Sequence, residues 1–207
     1  MKGKLLLSLL IFCSFFSVAQ HVPPGKNFEP GYIVDSNGTK QPALVRFFGW
    51  PMRPHLAYKL DENAPIIAGN TENLSGFGID GKEEFVRAKV NVDRSSFNLN
   101  KISMQAEPEF SEETVFLKKI YTGDVALYHF ADNAVSRFYI KNGEQFEPLI
   151  YKLFQATSTN LGYNNTYKKQ LRALLTCQHV SEKDIEKAQY RKASLIALFE
   201  KNGKCLP

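Results

Sequence analysis

The sequence predicts an α+β fold: an antiparallel sheet of seven to nine strands, built from meanders and hairpins, followed by two or three C-terminal helices packed on it. Three observations lead there. Apolar and aromatic runs with a period near two recur through residues 28–155. Turn pairs such as Asn37-Gly38, Gly123-Asp124, Asp132-Asn133 and Asn142-Gly143 punctuate them. From residue 163 to residue 203 the apolar spacing lengthens to that of a helix face.

The chain opens with Lys2 and Lys4, an apolar run of twelve residues from Leu5 to Phe16, and small residues at Ser17 and Ala19. This is the pattern of a cleavable export signal over residues 1–19, cut between Ala19 and Gln20. A spanning helix needs about 20 apolar residues, and polar Gln20-His21 follows this shorter run at once. Cys13 raises lipid attachment, but bulky Phe12 precedes it where that processing wants a small residue. Removing Lys2 and Lys4 with the leader leaves 24 basic against 21 acidic residues. So mild and evenly spread a charge gives no reason to expect nucleic acid. The mature 20–207 segment is long enough for a single domain with a real core, and no further stretch of it is apolar enough to span a membrane as a helix.

Gly31-Tyr32-Ile33-Val34-Asp35 and Gln41-Pro42-Ala43-Leu44-Val45-Arg46-Phe47-Phe48 flank Asn37-Gly38, a strong hairpin signal because both turn residues tolerate positive φ. Residues 56–60 supply a third strand. Val86, Ala88, Val90 and Val92 alternate as a strand with one wet face does. Runs at 114–121, 125–130, 135–141 and 145–151 form a meander. The polar stretch 61–75 and the acidic stretch 107–113 read as loops. Tyr167, Leu171, Leu174 and Leu175 share a helical face capped by Asn164 or Asn165, and Ser181 caps a second helix with Glu182 and Asp184 in its first turn. Leu195, Ile196 and Phe199 continue the apolar stripe, so Leu171, Leu174, Leu195 and Phe199 are expected against the sheet.

Cys177 and Cys205 survive maturation. An even pair in an oxidising compartment suggests a disulfide, the alternative being two free thiols. A continuous helix over 181–201 would hold them about 30 Å apart, so a bridge requires a break near Gln189-Tyr190.

Chemistry is sparse. Gly76-Phe77-Gly78-Ile79-Asp80-Gly81 matches G-x-G-x-x-G, but a strand follows it where a dinucleotide fold needs a helix, so a short strand and turn are expected. The four histidines lack paired-ligand spacing, which gives no support for a metal, and no cofactor motif is present. His129 is a candidate base and, more plainly, a strand histidine bonded to a neighbour. No G-x-S-x-G surrounds a serine, and Ser95-Ser96 after Asp93-Arg94 reads as a loop cap. Glu107, Glu109, Glu112 and Glu113 are candidate carboxylates lying in a polar segment. Among sixteen Phe, nine Tyr and one Trp, Trp50, between Gly49 and Pro51, is the candidate binding residue, with plugging one end of the core as its other reading.

Taken in order, Gly31-Tyr32-Ile33-Val34, Gly38, Trp50, Pro54, Tyr58-Lys59, Phe77-Gly78-Ile79, Val90-Asn91-Val92-Asp93-Arg94-Ser95-Ser96, Val115-Phe116-Leu117-Lys118, Gly123, Leu127-Tyr128, Phe138-Tyr139, Leu149-Ile150-Tyr151-Lys152 and the pair Cys177 and Cys205 form a set. In this order they resemble a family of exported proteins of Bacteroidota-type bacteria. In many members a soluble N-terminal domain precedes an outer-membrane β-barrel. The resemblance implies an envelope address (periplasmic, outer-membrane-associated or secreted) and an envelope protein or such a barrel as partner, and it supplies no activity. The present sequence stops at Pro207, where the barrel strands of long members would begin. The expectation is therefore an exported, non-catalytic binding module. Two alternatives stand beside it: a secreted hydrolase using carboxylates such as Asp93 or Glu112, and a carrier of a small ligand in an apolar cavity.

Overall fold

The computed structural model describes residues 27–49 and 55–205. The expected leader, with its expected cleavage point between Ala19 and Gln20, and Trp50 lie outside the described residues. The strands are β1 (Glu29–Asp35), β2 (Lys40–Phe48), β3 (His55–Lys59), β4 (Ile67–Gly69), β5 (Leu74–Ile79), β6 (Glu83–Asp93), β7 (Phe110–Tyr121), β8 (Ala126–Ala131), β9 (Ser136–Asn142), β10 (Gln145–Pro148), β11 (Lys152–Gln155) and β12 (Leu161–Asn164). The helices are α1 (Thr166–Leu174), α2 (Glu182–Lys187) and α3 (Lys192–Gly203).

The predicted class holds: a mostly antiparallel sheet precedes three C-terminal helices. Among the described residues the main sheet has ten strands rather than seven to nine, in the order β10-β9-β8-β7-β6-β5-β1-β2-β3-β4, and β11 and β12 form a separate two-stranded sheet. Expected loops account for part of the difference. β4, three residues long, lies inside 61–75, too short to show a period. β7 starts at Phe110 because the register of the β6–β7 ladder runs on to the pair Asp93 and Phe110. At the other end of the meander, the expected strand 145–151 stops at Pro148.

The sheet cannot be flat. In a flat sheet of this order β4 and β5 would lie four strand spacings apart, about 19 Å. Yet residues 70–73 join them as a tight turn, closed by the Leu74 N–H donating to the Asn70 carbonyl at 3.1 Å. Strands β1 to β5 therefore curl on themselves. Glycine makes the curl possible: a Cβ on Gly31 would sit 2.1 Å from the Gly78 carbonyl oxygen, and one on Gly78 would meet the Tyr32 ring at 2.5 Å. Inside this first curl Ile33, Val45, Phe47, Leu56, Leu74, Phe77 and Phe85 form one core, with Phe77 and Phe85 stacked at 4.5 Å.

Strand β6 then changes its buried side. Phe85 belongs to the first curl, whereas Ala88, Val90 and Val92, of opposite parity, enter a second core with Leu117, Tyr128, Phe130 and Tyr139. There β6 to β10 curl in the other sense, bringing β10 back against β6. The sheet is thus S-shaped. The face that Phe85 occupies continues across β8 and β9 through Leu127, Phe138 and Ile140, and the helices cover it there with Tyr167, Leu171, Leu195 and Phe199. Leu174, expected in that layer, is only partly buried, and Leu175 is buried beyond the helix end in its place.

The helical layer breaks as the cysteines require. Ser181 and Asp184 form a reciprocal capping box at the start of α2, and Asn164 Oδ1 accepts the Thr166 N–H at 3.1 Å. Ala188 turns extended between α2 and α3. Two tyrosines hold it there: Tyr167 donates its hydroxyl to the Ala188 carbonyl at 2.8 Å. The Tyr190 hydroxyl accepts the Phe138 N–H at 3.1 Å and donates to the Leu149 carbonyl at 2.7 Å. The chain folds back and Cys177 and Cys205 are bridged, their Cα atoms 5.5 Å apart across a separation of 28 residues.

Two outcomes check this. Cys205→Ser should lose roughly 3 to 4 kcal/mol in urea unfolding, from the loop entropy released to the unfolded chain. Tyr190→Phe, with the disulfide intact, should lose about 1 to 3 kcal/mol, because it orphans a buried N–H and a buried carbonyl. A loss below 0.5 kcal/mol for Tyr190→Phe, on the order of a neutral surface change, would contradict the account of the break.

Candidate functional site

Because the first curl covers the Phe85 face at one end and the helices cover it at the other, the strip between them stays open. It is a cleft of about 580 Å3. Its floor is a cross-strand row: Phe85 on β6 faces Lys118 on β7, which faces His129 on β8. Phe116 and Ala131, one pleat along, extend the floor. Phe47, Leu56 and the turn at Gly69, Asn70 and Thr71 form one wall, and Lys192 at the start of α3 stands at the other. Arg87 ties the turn to the floor by donating to the Thr71 carbonyl at 3.2 Å.

The acids around the cleft are already engaged. Glu83 pairs with Lys118. Arg94 donates from Nη2 to Glu113 at 2.5 Å and from Nη1 to Asp132. The Glu113 bond, ahead of the Asp132 one, raises the Arg94 guanidinium further, against burial. Burial pushes the Asp132 carboxyl up, but Arg94 and the Val135 and Ala134 N–H groups together hold it below its ordinary value. Lys192 is exposed, and among the described residues it has no acidic ion-pair partner.

His129 ends this row on β8. Its Nε2 is 2.8 Å from Ser136 Oγ and its ring stacks on Phe138 at 4.9 Å. Burial, and then the nearby Lys192 and Lys118 charges, push its pKa down to about 4. It is a neutral imidazole at neutral pH. Among the described residues no carboxylate is hydrogen-bonded to the ring, so the Ser136–His129 pair lacks the orienting acid of a triad.

The residues singled out in the sequence lie elsewhere. Asp93 is buried: its Oδ1 accepts the Ser95 N–H at 2.9 Å and the Glu109 N–H at 3.1 Å, and Oδ2 lies 3.2 Å from Arg137 Nε. Arg137 also donates to the Asp93 and Ser95 carbonyls at 2.8 and 2.7 Å, and the Phe97 ring covers its guanidinium. Asp93 thus closes the loop between β6 and β7, as the reading of Ser95-Ser96 as a cap anticipates. Glu112 is exposed and pairs with Lys89 at 2.6 Å. Glu109 bonds Lys152 and Ser103, and Glu113 bonds Arg94. These carboxylates are engaged separately, each with its own cation. Gly76 and Gly78 lie within β5 and Gly81 in the following turn at φ +68°, so the glycine triplet serves the curl. Of the residues that build the cleft, the sequence pointed only to His129. Phe116, Lys118 and Lys192 are brought together by register and by the fold-back of α3, neither of which leaves a local signal.

Among the described residues no group of three His, Cys, Asp or Glu side chains is placed to hold a metal, and no helix is long and apolar enough to cross a membrane. Comparison of the chain with protein-family models, with curated proteins and with solved structures gives no match in any of the three.

The His129 environment has a checkable consequence. The folded pKa lies below the unfolded value of about 6.5, so the unfolded chain binds the proton first. Stability is therefore full above pH 6.5 and falls as pH drops toward 4, by up to about 3 kcal/mol. Urea unfolding at pH 7 and pH 4.5 should show this loss in the parent and most of it missing in His129→Gln. Parallel pH profiles for the two proteins would contradict it.

Proposed function

We propose that this protein is an exported, non-catalytic binding module whose site is the cleft between the first curl and the helical layer. The observation that carries the reading is the cleft itself. Its volume, about 580 Å3, lies in the range of small-ligand sites, and its aromatic floor with a few polar groups at one side is their usual make-up. The carboxylates nearby are committed to ion pairs and hold the loops and strands that frame it. Of the sequence-based alternatives, the ligand carrier is the nearest, with the ligand lying between two covers of a sheet face instead of in a cavity inside the sheet. Export rests on the basic start, the short apolar run and the small residues before Gln20.

Fluorescence titration with the neutral apolar probe N-phenyl-1-naphthylamine tests the site. The parent should bind it saturably at one site. Ala131→Trp, which fills the floor, should weaken binding by about tenfold or more, equivalent to at least 1.4 kcal/mol, with a melting temperature near that of the parent. Unchanged probe binding in a folded Ala131→Trp protein would remove the cleft as the site. N-terminal sequencing of protein from envelope or medium should begin at Gln20. An intact Met1 on cytosolic protein would overturn the export reading.

A further inference from the structure

We infer that β12 is an interface between two copies of this chain: the strands pair antiparallel about a two-fold axis at Gly162 and join two two-stranded sheets into one of four strands. The inference goes beyond the cleft and does not rest on it.

The ladder between β11 and β12 decides which groups are free. Hydrogen-bonded and non-bonded pairs alternate along an antiparallel ladder. The Ala156 N–H donates to the Asn160 carbonyl at 2.9 Å. From there the register runs through Gln155 with Leu161, Phe154 with Gly162, Leu153 with Tyr163 and Lys152 with Asn164. Gly162 and Asn164 therefore bond β11, while Leu161 and Tyr163 turn their N–H and carbonyl groups outward. Gln155 gives the same phase from the other side, its N–H leaving the pair for the Ser103 carbonyl at 3.0 Å. Among the described residues β12 has no second neighbour in a sheet, and Leu161 and Tyr163 are 46% and 56% exposed.

The other sheet edges are guarded, as edges in natural proteins are. β4 is three residues long, and the Asn73 side-chain amide donates to its Ala68 carbonyl at 2.8 Å. β10 carries Glu147, ends on Pro148 and packs back against β6. The loop at Ser103 covers β11. β12 has no such guard: its register is unbroken, and no Asp, Glu, Lys or Arg occurs from Leu153 to Tyr167. No charge there selects an oppositely charged partner, and none repels an identical one. The outward groups also match themselves. A two-fold axis at Gly162 sets Leu161 against the partner's Tyr163 and Tyr163 against the partner's Leu161, and each of these pairs exchanges two ladder bonds. Leucine meets tyrosine at both positions, a favourable cross-strand pair. At the axis, where non-bonded residues approach to about 4.5 Å, glycine brings no side chain. Four backbone bonds and two apolar pairs make a small interface, of the weak and reversible class.

Sedimentation equilibrium and amide hydrogen exchange test the pairing together. The parent should show a monomer–dimer equilibrium with a dissociation constant between about 10 μM and 1 mM, as a small interface allows. Tyr163→Pro removes an outward N–H and spares the bonds to β11, and Leu161→Lys puts a charge on the edge. Each, in a protein that remains folded, should weaken the dimer by about tenfold or more. The Leu161 and Tyr163 amides should gain protection from exchange as the parent is concentrated, whereas Gly162 and Asn164 should be protected in the monomer too. A parent that stays monomeric at about 1 mM overturns the interface. A dimer unaffected by either folded variant overturns its placement, and open-ended association overturns the two-fold axis. Should both variants unfold, exchange in the parent decides: Leu161 and Tyr163 amides indifferent to concentration contradict the strand pairing.

Discussion

The constraint on which the structure turns is the change of buried side along β6. One strand of eleven residues contributes Phe85 to a core on one face of the sheet and Ala88, Val90 and Val92 to a core on the other. Side chains alternate across a strand, so two curls of opposite sense can share it only if the hydrophobic parity shifts partway. It shifts between Phe85 and Ala88. Everything downstream follows from this. The first curl closes over one face and the second closes under the other. The helices cover what remains of the first face at β8 and β9, which are consequently apolar on both sides. The run Phe138-Tyr139-Ile140 sends alternate residues to different cores and is buried throughout.

Polar groups fix the arrangement where apolar packing alone would leave it free to slide. Arg137 reaches from β9 to the carbonyls of Asp93 and Ser95, and Asp93 in turn closes the loop that leads into β7. Removing one member of such a buried pair leaves the other uncompensated, the costly way to break it. Lys152, almost wholly buried, does the same for the later part of that loop through the Glu107 carbonyl and Glu109. On the helical side Tyr190 joins β9, the chain beyond β10 and the gap between α2 and α3 through one hydroxyl. With the Tyr167 hydroxyl on the Ala188 carbonyl it holds the turn between α2 and α3, and the chain folds back so that Cys177 and Cys205 are bridged.

Most of the sheet could be read from the sequence because hairpins leave local marks. Asn37-Gly38 and Asn142-Gly143 place glycines at φ +86° and +67°, as hairpin turns need, and the long meander shows a clear period. The capping box at Ser181 was legible for the same reason, whereas the break near Gln189-Tyr190 was expected only as the condition for a Cys177–Cys205 bridge. What escaped was non-local. The pattern Val86, Ala88, Val90 and Val92 suggested one wet face, whereas Phe85 is buried on the side that pattern assigned to water. β4 is too short to carry a period, and the charged start of β7 resembles a loop until its partner strand supplies the register. The cleft was not legible as a site, because its floor comes from three strands and its charged rim from a helix more than sixty residues beyond His129 in the chain. The candidate acids were found, but their roles were not: a buried aspartate tied to an arginine and a catalytic one look alike in a one-dimensional string.

The cleft depends on the two covers being anchored separately, one by glycine-permitted strand contacts and the other by buried tyrosines. The open strip is what neither cover reaches. The most direct test of the sheet's double curvature is a methyl-to-aromatic nuclear Overhauser measurement on selectively labelled protein. The Val90 and Val92 methyl groups should see the rings of Tyr128 and Tyr139, while the Phe85 ring should see Phe47 and Phe77. Valine methyl groups of β6 and the Phe85 ring sharing one set of aromatic neighbours would mean a sheet curled in a single sense, and the cleft would have no origin.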